Sequence, residues 1–143
     1  MDFKWHTTLD DVDWDALSEL YRIAPLGEKV PADLETCFSN SLYRFFVYRA
    51  GELVGVGRAL ADGKDCSYIC DIAVHPDCQG TGLGKEIVSR LVEASHGHKK
   101  IILYSVPGKE GFYKKFGFSS MKTAMAIFPD KVEAVASGYL TED

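Results

Sequence analysis

Three glycines at alternate positions, Gly80, Gly82 and Gly84, stand where the chain changes its period. Before them, Cys66 to His75 is rich in β-branched and apolar residues and reads as a strand, which Pro76 interrupts. After them, Leu83, Ile87, Val88, Leu91 and Val92 fall on one helical face. A glycine-rich turn from strand into helix gathers backbone N–H groups with no side chains in the way. The helix N-terminus adds partial positive charge. Such a turn suits a phosphate or pyrophosphate at the end of a strand.

The rest of the chain supplies the frame. Val12, Trp14, Leu17, Leu20, Tyr21 and Ala24 recur at three- and four-residue steps and predict an amphipathic helix ended by Pro25-Leu26-Gly27. A short helix follows Pro31 to about Ser39. The period then becomes two: strands are expected from Leu42 to Arg49 and from Leu53 to Leu60. Turns at Ala50-Gly51-Glu52 and Ala61–Lys64 join them to the Cys66–His75 strand in an antiparallel meander. Ile101 to Tyr104 reads as a short buried strand, Gly111 to Phe116 as a short helix closed by Gly117, and Thr123 to Phe128 as a last strand. The order is β-α-α-β-β-β-α-β-α-β. A meander followed by a β-α-β crossover implies a mixed α/β (α+β) fold, with a mostly antiparallel sheet and helices on both faces. No repeat or linker divides the 143 residues, so a single domain over 1–143 is expected.

Composition narrows the function classes. The net charge of −5, from 16 Lys and Arg against 21 Asp and Glu, gives no support to nucleic-acid binding, which needs a basic face. Cys37, Cys66, Cys70 and Cys78 have neither CxxC nor zinc-finger spacing, so no metal is expected and the thiols read as small apolar fillers in a reduced compartment. Cys66 and Cys70 should point to one side of the sheet. The N-terminus lacks the apolar core of a signal peptide, and no apolar run approaches the roughly 18 residues of a membrane span. The expectation is a cytoplasmic protein with no membrane partner.

Spacing separates the ligand classes that use a glycine turn. A P-loop needs GxxxxGK followed by Ser or Thr; counted back from Gly84-Lys85, the first position is Gln79 and the last is Glu86. A dinucleotide fingerprint needs GxGxxG, and its third glycine would fall on Lys85. The run Val74-His75-Pro76-Asp77-Cys78-Gln79-Gly80-Thr81-Gly82-Leu83-Gly84 instead resembles, without departure, the acetyl-coenzyme A motif of the GNAT superfamily of N-acetyltransferases. Downstream, Phe112-Tyr113-Lys114-Lys115-Phe116-Gly117-Phe118 is similar to that family's second motif. The element order also matches the family over most of the chain.

The resemblance implies an acetyl-CoA-dependent enzyme without a metal. The third meander strand would splay from the next strand, and pantetheine would enter the gap. Backbone groups of Ile72, Ala73 and Val74 would hold the pantetheine and the acetyl carbonyl. The Gln79, Gly80, Thr81, Gly82, Leu83, Gly84 and Lys85 amides would hold the pyrophosphate, Thr81 mainly through its backbone. Phe112 and Tyr113 would lie at the coenzyme. Tyr113 would be the general acid at the sulfur. For the base, Asp71 has strand parity opposite to Ile72 and Val74; its carboxylate either accepts the amine proton through water or forms a structural ion pair, for example with Arg58. His75 reads as a surface residue. The family often has an asparagine after the strand that ends near Tyr104; this chain reads Ser105 to Lys109 there and has none.

In such a fold the first two helices, the loop between them and the far side of the sheet form the amine pocket. The candidates are Tyr21, Leu26, Glu28, Tyr43, Arg58, Tyr68 and Tyr104. The cofactor motif looks most like the arylalkylamine and serotonin-type branch, and Asp71-Ile72-Ala73-Val74 is also similar to ribosomal-protein alanine acetyltransferases. The leading expectation is transfer to a primary amine of a small molecule. The alternatives are a protein N-terminal or lysine acetyltransferase and a non-catalytic coenzyme A-binding sensor. Small family members often dimerise through edge strands, so a homodimer is one assembly the resemblance implies. The Pro129–Asp143 stretch, with Val132, Val135 and Tyr139 apolar, could pack as a helix on the body or on a partner.

Overall fold

In the computed structural model, which describes residues 2–143, five strands form one sheet in chain order. β1 (Lys4–His6), β2 (Tyr43–Arg49), β3 (Glu52–Ala61) and β4 (Cys66–Val74) are antiparallel neighbours, and β5 (Lys100–Ile102) joins β4 in parallel. The β2–β3 hairpin closes at Ala50 and Gly51, whose φ values of 51° and 80° are those of a tight hairpin turn matched to strand twist. At the β3–β4 turn, Asp62 Oδ1 accepts from the N–H groups of Lys64 (2.8 Å) and Asp65 (2.7 Å).

α1 (Trp14–Ile23) starts at Asp13, whose carboxylate accepts from Ala16 N–H at 3.0 Å. α2 (Pro31–Ser39) starts with a proline, which has no N–H to lose there. Leu17, Leu20 and Tyr21 of α1 and Leu34 and Phe38 of α2 pack with Phe46, Val56 and Ala73 on one face of the sheet. α3 (Leu83–Ala94) covers the other face. Two glycines let it approach. A Cβ on Gly57 would lie 2.8 Å from both Ile87 and Leu91, and one on Gly55 3.0 Å from Ile87. Helices therefore lie on both faces, as the period changes implied.

The chain forms two compact units, one ending at Leu103 and one beginning at Tyr104. The second holds α4 (Glu110–Lys114) and α5 (Lys131–Ala136), the latter capped by Asp130. Tyr104, Phe128 and Tyr139 meet with ring centroids 5.9–6.1 Å apart. The expected last strand, Thr123 to Phe128, is absent: the segment is irregular, with Met125 97% and Ile127 100% exposed. A strand needs a partner to take its N–H and C=O groups, and this unit contains no strand among its residues. The end of the chain adds the α5 helix instead.

Candidate active site

β4 changes character along its length. Cys66, Ser67 and Tyr68 pair with Lys100, Ile101 and Ile102 of β5; beyond Tyr68 no β5 residue is in register with it. From Ile69 to Val74 no strand among the described residues pairs with this edge. On the other edge, the β3 register jumps: Val56 opposes Ala73, but Arg58 opposes Cys70. The extra residue is a β-bulge, and Asp71 takes φ 57° within it. A left-handed non-glycine residue costs on the order of 1–3 kcal/mol and persists only where its surroundings hold it; Asp is among the types that tolerate it.

The surroundings do hold it. The Tyr21 hydroxyl, on a fully buried ring, donates to the Asp71 carbonyl at 2.7 Å. The Asp71 carboxylate accepts from Arg58 Nε at 2.8 Å, with Arg58 Nη2 also 2.8 Å from Oδ2, and Lys29 Nζ lies 3.8 Å from Oδ1. Arg58 Nη1 donates to Ser41 Oγ at 3.2 Å. Burial, with the Asp71 carboxylate nearby, holds the Tyr21 hydroxyl well above the ordinary phenol range. Burial also pushes the adjacent Cys70 thiol up to about 11. The bulge sets Cys70 and Asp71 on the same α1–α2 face, which strict alternation would forbid, while Ile72 and Val74 lie toward α3, near Gly57 and Gly84. All four cysteines are free thiols.

After Val74 comes a single 3-10 turn, Pro76–Cys78, followed by Gly80 (φ 82°) and Gly82 (φ 87°), the left-handed residue that opens α3. His75 is more covered than a surface residue: its side chain is 16% exposed, and Nδ1 accepts from Asp77 N–H at 3.0 Å. The first N–H groups of a helix lack intrahelical acceptors. Thr81 Oγ1 takes that of Leu83 at 3.3 Å, so Thr81 acts through its side chain as well as its backbone. The N–H groups of Gly84 and Lys85 follow at the exposed start of the helix. Gln79, Gly80, Thr81, Gly82 and Lys85 are exposed, whereas the Leu83 side chain is buried. A strand edge that β5 leaves uncovered, leading into a glycine turn at a helix N-terminus, fits the amides of pantetheine and a pyrophosphate.

The structure thus brings Asp71, Arg58 and Tyr21 together and joins Ile72–Val74 to Gln79–Lys85 through one turn. Leu26 is partly buried against the α1–α2 core, and Glu28 is exposed. Tyr43 lies on the α3 side, its ring edge-on to His98 at 6.0 Å, so it does not share a face with Tyr21 and Arg58. Tyr68 is partly buried in the β5-paired part of β4. In the second unit, Tyr113 is half-buried with its ring against Phe112 (5.1 Å) and Phe118 (6.3 Å), and burial raises its hydroxyl above the usual value. Tyr104 belongs to the Phe128–Tyr139 cluster. Sequence reasoning missed Lys29, Ser41 and the Tyr21–Asp71 bond. The last joins residues 50 positions apart, and only the tolerance of Asp for left-handed φ hints at the turn.

Known proteins fit this geometry. The chain is 37% identical over 89 residues to serotonin N-acetyltransferase 2, chloroplastic, of Oryza sativa subsp. japonica, covering 61% of this chain and 41% of that protein. It is 31% identical over 86 residues to glucosamine 6-phosphate N-acetyltransferase 1 of the same plant, covering 54% and 52%. The chain therefore spans about half the length of these curated relatives. A GNAT-family acetyltransferase of Streptococcus pneumoniae shares the fold with a TM-score of 0.73 at 19% identity, over 90% of this chain and 100% of that one. The model of the acetyltransferase (GNAT) family matches residues 8–118, from the segment between β1 and α1 through the second aromatic motif, and the chain belongs to that family.

Proposed function

We propose that the chain transfers the acetyl group of acetyl-CoA to a primary amine of a small molecule. The observation that carries this reading is the unpaired β4 edge running directly into the glycine turn. Two adjacent features of one segment serve the two polar parts of one ligand, amides and pyrophosphate. Acetyl-CoA supplies an activated thioester, and the residues of this chain do the rest. Ile72, Ala73 and Val74 orient the pantetheine arm and the acetyl carbonyl through their backbone. Gln79, Gly80, Thr81, Gly82, Leu83, Gly84 and Lys85 line the phosphate turn. Phe112 packs at the coenzyme, and Tyr113, a phenol protonated at neutral pH, donates its proton to the departing sulfur.

Asp71 accepts the amine proton through water. Its Oδ2 is engaged by Arg58, while Oδ1 carries the longer Lys29 contact and is the oxygen better placed for that role. The names of both relatives above refer to small molecules that bear a primary amine, which supports a small-molecule acceptor. Leu26, Glu28 and Arg58 are the acceptor-side candidates of the first unit; Tyr21, fully buried with its hydroxyl on the Asp71 carbonyl, serves the frame instead.

The test is thiol release from acetyl-CoA against arylalkylamines, amino sugars, amino acids, polyamines and short peptides. Release with small amines and not with peptides is expected. Release with peptides alone would put a protein acceptor in its place, and tight coenzyme binding with no release would favour a sensor. On the best substrate, Tyr113→Phe should lower kcat by about a hundredfold or more. Full turnover in that variant would remove Tyr113 as the acid.

A further inference from the structure

Among the described residues, Asp71 is the only non-glycine with positive φ inside a strand; the others, Asp11 and Ala50, lie outside the strands. The turn it makes decides where the next three residues point. Without it, Ile72 and Val74 would exchange faces with Ala73, and the edge proposed for the coenzyme would present a different set of amides.

We propose that Tyr21 is a positioning residue for the coenzyme-binding edge: its hydroxyl, with Arg58, clamps the Asp71 turn and so fixes the backbone of Ile72–Val74. This rests on the acetyl-CoA reading above. The clamp has two independent arms. Tyr21 reaches from α1 to the Asp71 carbonyl, which fixes the peptide plane between Asp71 and Ile72. Arg58 reaches from β3 to the carboxylate and is itself tied to Ser41. The Tyr21 ring is fully buried among α1, α2 and the sheet, so the hydroxyl arrives from a rigid base. Because that hydroxyl stays protonated across the working pH range, it remains a donor to the carbonyl. A tyrosine serving only the core would need no partner so specific. Phenylalanine would fill the same space, and the phenol would then be an unneeded buried polar group.

The test compares Tyr21→Phe with Leu34→Ala, a buried core variant in α2 whose apolar side chain can make no hydrogen bond to Asp71. Coenzyme A affinity is read by calorimetry, and amide hydrogen exchange at Ala73 and at His75, whose N–H donates to the Val54 carbonyl at 2.8 Å, is read against Ser67. Tyr21→Phe should weaken coenzyme A binding about tenfold and speed exchange at Ala73 and His75 about tenfold relative to Ser67. Leu34→Ala should lower stability while leaving both readouts near wild type. Unchanged exchange at Ala73 and His75 in Tyr21→Phe overturns the proposal, as does an equal change in Leu34→Ala. If wild-type protein itself does not bind coenzyme A, the acetyl-CoA reading falls, and the exchange comparison still decides whether Tyr21 positions the edge. Should Tyr21→Phe fail to fold, Arg58→Lys, which keeps the charge and loses the fork, carries the same comparison.

Discussion

The two ends of β4 hold their shape by different means. The Cys66–Tyr68 end has a strand on each edge, and the buried Ser67 and Ile69 face α3. The Ile72–Val74 end has β3 as the one strand among the described residues that pairs with it. It is turned by a left-handed residue that one hydroxyl and one guanidinium keep in place. Packing is non-directional and resists deformation from every side. Polar contacts are directional and can hold a strand edge open without covering it. One strand can therefore be a rigid frame at one end and a ligand-ready edge at the other, provided the changeover is sharp. Asp71 makes it in one residue.

If this contrast is right, damage to the packed end should appear as lost stability. Ile69→Ala, at a side chain 1% exposed, should cost about 2–5 kcal/mol in denaturant unfolding. It should leave the exchange pattern at Ala73 and His75 largely intact. A cost well below that range would mean the frame is softer than its burial implies. Gly57→Ala tests the same frame from the β3 side. The added methyl would meet Ile87 and Leu91 at 2.8 Å, so α3 must shift, at about 1–3 kcal/mol. A neutral result would show that α3 can slide on the sheet.

The sequence shows the packed end far better than the open one. Alternation between Cys66 and Cys70 and the helical face from Leu83 to Val92 announce burial, and burial builds that end. The glycine turn was legible as well, because its spacing states a backbone requirement. The clamp was not: a tyrosine at a helical apolar position reads as core, and nothing local says its hydroxyl will find a carbonyl 50 residues on. The Arg58–Asp71 pair was legible only as one of two readings of Asp71. The Thr123–Phe128 segment fails for the opposite reason. Its composition suits a strand, but a strand is made by its neighbour, and its own unit contains none among its residues. The bulge itself is a register event that period-two reasoning passes over.

The boundary between the two ends can be read by pH at Cys70. Burial raises this thiol from about 9 to about 11, so between those values the unfolded chain gives up a proton that the native chain keeps. The stability tied to this group is complete below pH 9 and declines as pH rises toward 11. Comparison with Cys70→Ala should show that the variant lacks this part of the alkaline decline, and alkylation of Cys70 in native protein should accelerate only as pH approaches 11. Fast alkylation at pH 8 would place the thiol in the open half of the strand.

The smallest effect concerns the buried hydroxyl pair that joins the packed end to α3. Ser67 Oγ and Ser95 Oγ are 2.8 Å apart, and Ser95 Oγ donates to the Leu91 carbonyl at 2.7 Å. Ser95 has spent its proton on Leu91, so Ser67 must be the donor between the two. The two deletions should therefore differ. Ser67→Ala removes one neutral hydrogen bond and leaves every remaining donor satisfied, at about 0.5–1 kcal/mol. Ser95→Ala strands the Ser67 hydroxyl in a site closed to water, at about 1–3 kcal/mol. Urea unfolding of the two variants side by side reads the difference. Equal costs would mean that water reaches the pair, and then the packed end of β4 is not the sealed frame that the open end depends on.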